Sequence, residues 1–207
     1  MRLAVLGATG RIGQHVLEWA LDSGHQVTAL ARNPQSLTAA AGLTTLTGDA
    51  TDPAAVAELV TSADAVLSAL GPRGAKSPAL LASAGQNIVA GMTAAGVRRL
   101  VCVSAAGAFI QGDPDSGAIV KTILPRVLAK PFADVREMEA VIGASGLDWT
   151  LVRASRLVNS GLTGRYRVRP DYPPQGGGKI SRSDVAHFMS AVLTEASWIR
   201  SRPALAY

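Results

Sequence analysis

The sequence predicts an α/β fold with a doubly wound parallel sheet, and three observations lead to this prediction. Short β-branched apolar runs alternate along the chain with longer alanine-rich stretches, and strands that alternate with helices form parallel sheets through right-handed crossovers. Most of these runs are apolar at consecutive positions, which is typical of strands covered by helices on both faces. Glycines and prolines stand at the ends of the alanine-rich stretches, where they start or stop helices.

Six strands and the five helices between them are predicted in order along the chain up to Val152. The strands are Arg2–Leu6, Gln26–Ala31, Leu43–Thr47, Ala65–Leu70, Arg99–Ser104 and Trp149–Val152. The helices are Ile12–Ser23, Pro34–Ala41, Pro53–Val60, Pro78–Ala95 and a long one within Ser116–Ala144. Asp52 before Pro53 predicts an N-cap followed by proline at the first helical position. Gly24 and Gly96 predict helix ends just before new strands.

The chain after Val152 is predicted to be a loop-rich elaboration rather than a second domain. Glycines and prolines are frequent there, and Ser181 to Asp184 form a plausible cap for a helix Val185–Thr194. A length of 207 residues favours one domain, residues 1–207, with the elaboration at about residues 155–207.

Composition excludes several classes of protein. With 48% hydrophobic and 17% charged residues, the chain is not intrinsically disordered. No apolar run reaches the roughly 18 residues of a membrane span, so a cytoplasmic protein without a membrane partner is expected. The net charge is +5, but the basic residues are scattered and aromatic residues are few, which argues against nucleic acid. The single cysteine, Cys102, lies in an apolar run and is predicted to be a core residue.

A glycine-rich turn follows the first strand and reads Gly7-Ala8-Thr9-Gly10-Arg11-Ile12-Gly13. In this pattern Gly7 permits a sharp turn, Gly10 lets the backbone approach a pyrophosphate, and Gly13 lets the helix pack on the sheet. Free amides at the start of the helix hold the phosphates. A plain tight turn is the alternative, but the context of strand, turn and helix favours dinucleotide binding.

The end of the second strand bears on which dinucleotide binds. An NAD site usually has a carboxylate there, whereas this chain has Ala31-Arg32-Asn33-Pro34. The guanidinium of Arg32 suits bidentate binding of an adenosine 2′-phosphate, and Arg11 could reach the same group. Each alone could be a solvated surface arginine, but together they favour NADP(H).

Three later strand ends add candidate contacts. Asp49 could accept a hydrogen bond from the adenine amino group, or it could cap a helix. The small residues Ser68-Ala69-Leu70-Gly71-Pro72 would let the chain pass close to the adenosine ribose. Ser104, at the end of the fifth strand, could orient a substrate oxygen beside the nicotinamide, or its hydroxyl could bind backbone.

Five ordered motifs resemble the atypical short-chain dehydrogenase/reductase superfamily over nearly the whole chain. They are the glycine-rich turn, Ala31-Arg32-Asn33-Pro34, Gly48-Asp49-Ala50-Thr51-Asp52, Val103-Ser104-Ala105 and Gly146-Leu147-Asp148-Trp149-Thr150-Leu151-Val152-Arg153, and Ile180 to Ala186 is also typical. The resemblance is to the NAD(P)H-binding branch that includes biliverdin reductase B / flavin reductase and NmrA-like proteins, and it implies a Rossmann-type fold. It places Gly7, Thr9, Gly10, Arg11 and Ile12 at the pyrophosphate, and Arg32 at the 2′-phosphate. It places Asp49 and Ala50 at the adenine, Ala69 to Gly71 at the ribose, Ser104 at the nicotinamide, and Leu151 to Ala154, which include Val152 and Arg153, near the carboxamide.

The chain departs from this family in its catalytic residues. Standard members have a Tyr-x-x-x-Lys pair, but the resemblance puts the tyrosine position near Pro131 and the lysine position at or next to Val135. Hydride transfer from NADPH to a flavin or similar acceptor needs little protein acid and is therefore expected. Ser104 is the one candidate catalytic residue. A non-catalytic NADP(H) sensor, or an epimerase or isomerase, is the alternative.

Three further expectations concern the surroundings of the site. Asp134, Arg136 and Glu137 are expected on a solvated helix face. His15, His25 and His187 are expected at helix surfaces or caps, without a metal. Segments Ala105–Ser116 and Asn159–Gly178 are expected to form the pocket of a small-molecule substrate. Both a monomer and a homodimer are compatible with the sequence.

Overall fold

The computed structural model describes residues 1–71 and 79–207. Its strands are β1 (Arg2–Leu6), β2 (Gln26–Ala31), β3 (Leu43–Thr47), β4 (Ala65–Ser68), β5 (Arg99–Ala105), β6 (Asp148–Ala154), β7 (Arg156–Val158), β8 (Arg167–Pro170), β9 (Lys179–Ser181) and β10 (Pro203–Ala206). Its helices are α1 (Arg11–Asp22), α2 (Pro53–Val60), α3 (Leu80–Ala95), α4 (Ala118–Val127), α5 (Ala129–Gly143) and α6 (Arg182–Ala191).

Eight of the strands form one mostly parallel sheet in the order β3-β2-β1-β4-β5-β6-β10-β8, in which only β8 is antiparallel to its neighbour. Strands β7 and β9 pair separately. The order reverses between β1 and β4, and sheets of this kind open a ligand crevice beyond the carboxyl ends of the strands at such a point. The predicted fold class is confirmed.

Two apolar layers cover the sheet. Side chains of α1 and α6 pack on one face, and those of α2, α3 and α5 pack on the other. All of β4 and all of β1 except Arg2 are buried, because helices lie on both sides of these strands. Within the described residues, no helix has both the length and the apolar composition needed to cross a membrane.

Helix signals near the central strands are confirmed. The Asp52 carboxylate accepts a hydrogen bond from the Ala54 amide and caps α2. The Ser181 hydroxyl accepts one from the Asp184 amide and caps α6, which begins at Arg182 rather than Val185. Gly96 ends α3 with a φ of 70°, a left-handed conformation that favours glycine.

The helix predicted at Pro34–Ala41 is wrong. Only a 3₁₀ turn forms there, over Pro34–Ser36, and the chain is extended again at Leu37. A helix in this segment would have Leu37 as its one large apolar side chain, and the residues after it are exposed. Because short helices depend on a buried apolar face, this segment has too little to bury.

The long helix predicted within Ser116–Ala144 is two helices, α4 and α5, separated at Leu128. Pro131 lies in the first turn of α5, where its ring would clash with the Val127 carbonyl if a single helix ran through. The start predicted at Pro78 for the preceding helix lies outside the described residues, as does Pro72.

The C-terminal elaboration contains four short strands that the sequence pattern did not predict. Its central anchor is Asp184, which is fully buried and binds the Thr163 and Gly164 amides and the Tyr207 hydroxyl. Burial alone raises the pKa of this carboxyl, but the hydrogen bonds from Tyr207, Gly164 and Thr163 lower it to about 2. The ionised carboxylate therefore ties residues 163 and 164 to α6.

Asp134 was expected on a solvated helix face, and this is wrong. Its side chain is buried and accepts hydrogen bonds from the Leu81 and Ala82 amides at 3.0 and 2.8 Å. Ala79, the N-cap residue of α3, offers no side-chain cap. A carboxylate from α5 therefore accepts hydrogen bonds from the free amides in the first turn of α3. Its negative charge also interacts favourably with the positive end of the α3 dipole.

We expect Asp134→Ala to lower the free energy of unfolding by about 2 kcal/mol, because it leaves two buried amides unsatisfied. Chemical denaturation of the purified variant measures this. Glu137→Ala, an exposed position on the same helix, is the matched control and should change stability by less than about 0.5 kcal/mol. Equal stabilities of the two variants would contradict the capping role.

Candidate functional site

The turn between β1 and α1 is packed closely at its three glycines, where a side chain would collide with backbone. Gly7 has a φ of +78°, and a Cβ there would lie 2.7 Å from the Ala69 carbonyl carbon. A Cβ on Gly13 would lie 2.0 Å from the Gly7 oxygen, and one on Gly10 would lie 3.1 Å from it. The Gly10 amide donates to the Gly7 carbonyl at 2.9 Å and closes the turn. At Gly7, Gly10 and Gly13 backbone therefore packs directly on backbone.

The first turn of α1 is suited to an anion. The N-cap residue, Gly10, has no side chain to cap the helix, and no acidic residue lies in the first turn. The first amides of a helix have no partner within it, and they carry the positive end of the helix dipole. These residues fit the phosphates of a dinucleotide, because such groups bind amides at helix N-termini.

A cavity of about 630 Å³ opens at this turn, along the ends of β1, β2, β4 and β5. It brings together most of the residues predicted to bind the cofactor: Gly7, Thr9, Gly10, Arg11, Ile12, Arg32, Ala50, Ala69, Leu70, Gly71 and Ser104. Ala8 is instead buried in the core beside α1.

Arg32 lies at one end of the cavity, and 60% of its side chain is exposed. Its Nε lies 3.9 Å from a carboxylate oxygen of Asp49, which does not line the cavity. The Asp49 carboxylate also accepts hydrogen bonds from the amide and the hydroxyl of Thr51. Asp49 thus holds the turn before α2 and lies beside Arg32, while Asp52 caps the helix.

Ser104 is buried, lines the cavity, and donates its hydroxyl hydrogen to the Glu139 carboxylate of α5. Glu139 is in turn bound by Arg153 at 2.6 and 3.0 Å and by Arg202 at 3.3 Å. Because the hydroxyl hydrogen is directed to a carboxylate, the Ser104 oxygen presents lone pairs to the cavity. Ser104 is therefore placed to accept a hydrogen bond rather than to donate one.

Val152 and Arg153, predicted near the carboxamide of the cofactor, do not line this cavity. Val152 is fully buried on the face of the sheet covered by α1 and α6. Arg153 binds Glu139 of α5 on the opposite face, and the Phe109 ring stacks 3.6 Å from its guanidinium carbon. The two side chains diverge because successive residues of a strand point to opposite faces.

Several residues that line the cavity were not predicted from the sequence. They are Asn33, Ser36, Leu81, Val103, Ala105, Val135, Leu157 and Arg182, together with a few strand-end residues. Val135, at or next to which the family resemblance puts the catalytic lysine, contributes an apolar side chain to the lining. Of the residues described here, none that lines the cavity is Tyr, Lys, His, Asp or Glu. Arg182 lies in the Ile180–Ala186 motif, which was the one available signal for it.

A second cavity of about 520 Å³ lies on the α5 side of the sheet. It is lined by Phe109 and Gln111 from one predicted substrate segment and by Asp171 and Tyr172 from the other. The main cavity takes Ala105 from the first segment and nothing from Asn159–Gly178. The two segments predicted to form the substrate pocket therefore meet at the second cavity, and only the first of them reaches the main one.

Cys102 and His187 do not line the main cavity. Burial raises the pKa of the Cys102 thiol to about 12, so it is not a nucleophile at neutral pH. The His187 ring shares a 2.7 Å hydrogen bond with the Tyr166 hydroxyl on an exposed surface. No cluster of His, Cys, Asp and Glu among residues 1–71 and 79–207 has the arrangement of a metal site.

Comparison with known proteins identifies a matching family model and several similar proteins. A family model described as NAD(P)H-binding matches residues 7–196. A proposed pinoresinol-lariciresinol reductase of Arabidopsis thaliana is 39% identical over 75 residues, which cover 33% of this chain and 24% of that relative. The chain therefore spans about a quarter of the length of this curated relative.

Two solved structures share the whole fold. A proposed exported protein of Burkholderia pseudomallei is 30% identical, with a TM-score of 0.83 and full coverage of both chains. A short-chain dehydrogenase/reductase of Veillonella parvula, solved in complex with NADP, is 20% identical, with a TM-score of 0.85 over 100% of this chain and 94% of the other. At that identity the second similarity concerns the fold alone.

Proposed function

Because the chain belongs to the NAD(P)H-binding family, we propose that it is an NADPH-dependent reductase acting on a flavin or another conjugated small-molecule acceptor. This membership confirms the resemblance drawn from the sequence motifs, and it assigns NAD(P)H as the cofactor class. The preference for NADPH and the identity of the acceptor are the proposed parts. The observation that carries the proposal is a dinucleotide cavity whose described lining has an arginine for a 2′-phosphate but no acid–base pair.

The protein's own residues would hold the cofactor as follows. The first amides of α1 bind the pyrophosphate, with Thr9 and Arg11 beside them, and Arg32 binds the 2′-phosphate. The small residues Ala69 and Gly71 leave room for the ribose. When bound, NADPH supplies a hydride, so the protein needs to contribute orientation rather than reactive groups.

The inner part of the cavity can position the reacting groups without a protein acid. Val103, Val135 and Leu157 contribute apolar side chains to the cavity lining, and these would limit the access of water to a bound nicotinamide ring. Ser104 accepts a hydrogen bond from a donor on the bound molecules, because its own hydrogen is held by Glu139. A reduced flavin takes its proton readily from water, and this chemistry fits a site that lacks the tyrosine–lysine pair.

The relatives support this proposal at a coarse level. The partly matching Arabidopsis protein is named as a reductase, and the family model describes NAD(P)H binding over most of the chain. We further propose that residues 1–207 work as one nucleotide-binding unit. A cytoplasmic location and a monomeric or dimeric state remain predictions.

Stopped-flow measurement of NADPH oxidation against a panel of flavins and quinones tests the proposal. We expect single-turnover oxidation with at least one acceptor, and Ser104→Ala should lower kcat/KM by about tenfold at most, the effect of one hydrogen bond. Ser155→Ala, which removes a serine hydroxyl outside the cavity, is the control. Tight NADPH binding with no turnover of any acceptor would refute the proposal.

A nucleotide sensor without turnover is the second candidate, and the lack of an acid–base side chain in the described cavity lining favours it equally. A redox sensor must bind NADPH and NADP⁺ with different affinities, since a ligand shifts an equilibrium only by its differential affinity. Calorimetric titration with NADPH and with NADP⁺ tests this requirement, and equal affinities without turnover would count against a redox sensor. An epimerase or isomerase needs a proton-transfer pair and is the weakest candidate.

A further inference from the structure

Helix α4 contributes no buried residue to the protein, yet its sequence is largely apolar. Ile119, Ile123 and Val127 are spaced four residues apart and are 74%, 55% and 72% exposed. We call these three residues the α4 stripe. Val120 and Leu128 adjoin it and are also exposed. Most of the exposed large apolar side chains in residues 1–71 and 79–207 thus belong to one helix and its end.

The packing of α4 shows that the stripe faces away from the protein. Leu124 is half-buried and packs against the core, where its Cδ2 comes within 3.3 Å of the place a Cβ would occupy on Gly107. Lys121 and Pro125 are also half-buried. On an α-helix, residues four apart share a face, and the stripe lies on the face away from Lys121 and Pro125.

The surface around the stripe is cationic. No aspartate or glutamate occurs from Ser116 to Ala133, whereas this segment contains the exposed cations Arg126 and Lys130. The acidic residues that flank this segment are already engaged. Asp115 is paired with Arg169, Asp113 is buried and binds the Ser116 hydroxyl, and Asp134 caps α3. An apolar stripe with cations beside it therefore covers this part of the surface.

We propose that the α4 stripe docks on the surface of an anionic lipid bilayer. Short helices that lie in a membrane interface combine one apolar face with flanking lysines and arginines, as α4 does. Charge complementarity selects this occupant over a second copy of the chain, because the same face of a second copy, residues 116–133, offers no aspartate or glutamate to pair with Arg126 and Lys130. The expectation of no membrane partner came from the lack of a span, and surface docking requires none.

Sedimentation with lipid vesicles tests this proposal on the whole chain, independently of any turnover. We expect binding to vesicles of phosphatidylcholine and phosphatidylglycerol, weaker binding to pure phosphatidylcholine, and loss of binding as salt is raised. The variant Ile119→Ser/Ile123→Ser/Val127→Ser should bind at least about tenfold more weakly. Leu162→Ser, an apolar side chain that is 61% exposed elsewhere, is the matched control and should bind like the wild type.

Charge reversal provides a second readout that keeps the stripe intact. Arg126→Glu/Lys130→Glu should weaken binding to the anionic vesicles by about tenfold or more, while Arg165→Glu, at an exposed site elsewhere, should not. The circular dichroism spectra of all variants should match the wild type, because every position is exposed. No sedimentation of the wild type with anionic vesicles would overturn the proposal. Self-association that the triple variant abolishes would overturn it in favour of a second copy.

Discussion

Replacing Arg32 with aspartate is expected to weaken NADPH binding by about 100-fold, while NADH binding changes by less than about threefold. Two contributions produce the loss. The charge-assisted hydrogen bonds from the guanidinium to the 2′-phosphate disappear, and each such bond contributes about 1.5–3 kcal/mol. The new carboxylate then repels the phosphate. NADH lacks that phosphate, and a carboxylate at the end of β2 can accept a hydrogen bond from its ribose hydroxyl.

The geometry around Arg32 makes it a suitable position at which to test the binding of the 2′-phosphate. Arg32 lines the main cavity with 60% of its side chain exposed, so it is open to a ligand. A carboxylate oxygen of Asp49, which also accepts a hydrogen bond from the Thr51 amide, lies 3.9 Å from the Arg32 Nε. Asp49 can therefore orient the guanidinium while leaving it accessible to a ligand. Because the guanidinium contributes little to the core, the substitution should leave the fold unchanged.

Fluorescence titration with both cofactors measures the two affinities. Arg165→Asp is the matched control, because it makes the same charge change at an exposed site away from the cavity. It should lower both affinities only slightly, and that of NADPH a little more, because the long-range field acts on the larger negative charge of NADPH. Equal losses of NADPH and NADH affinity in Arg32→Asp would contradict the assignment of Arg32 to the 2′-phosphate.

The second large effect is expected at Glu139, where substitution by alanine should lower the free energy of unfolding by about 3–5 kcal/mol. The Glu139 side chain is 3% exposed and that of Arg153 is 6% exposed. Removing the carboxylate leaves the Arg153 guanidinium buried without its counter-charge, and leaves Arg202 without one of its partners. It also frees the Ser104 hydroxyl hydrogen, which then can turn toward the cavity.

Urea denaturation compares this variant with Asp148→Ala, which breaks the exposed ion pair to Arg98. Exposed pairs contribute little, so the control should lose less than about 1 kcal/mol. The double variant Glu139→Leu/Arg153→Met should recover part of the lost stability, because an apolar pair replaces a stranded charge. If Glu139→Ala were no less stable than Asp148→Ala, the network would not be a structural requirement.

The sequence predicts local features of this protein well. The glycine-rich turn could be identified because Gly7, Gly10 and Gly13 are required by contacts within a few residues and with the adjoining strand. The caps at Asp52 and Ser181 follow from the same kind of short-range chemistry. Central strands were predictable because burial on both faces leaves a continuous apolar run.

Errors occurred where local and tertiary preferences differ. Pro34–Ala41 has helical residues but no apolar face to bury, so it forms only a 3₁₀ turn. Asp134 and Glu137 lie three residues apart on one helix, yet the first is buried and the second exposed. Only the position of α3 against α5 distinguishes them, because Asp134 binds amides more than fifty residues earlier in the chain.

By itself, the sequence determined the α/β class, the glycine-rich turn after β1, Arg32 at the end of β2, and the lack of a Tyr-x-x-x-Lys pair. Tertiary structure alone decided that the Ser104 hydroxyl donates to Glu139 and that Glu139 binds Arg153 and Arg202. It also decided the lining of each cavity and which face of α4 is exposed. The physical reason is the separation along the sequence of the residues that interact. Turns and caps depend on neighbouring residues, whereas buried charges and exposed faces depend on which distant helix packs against them.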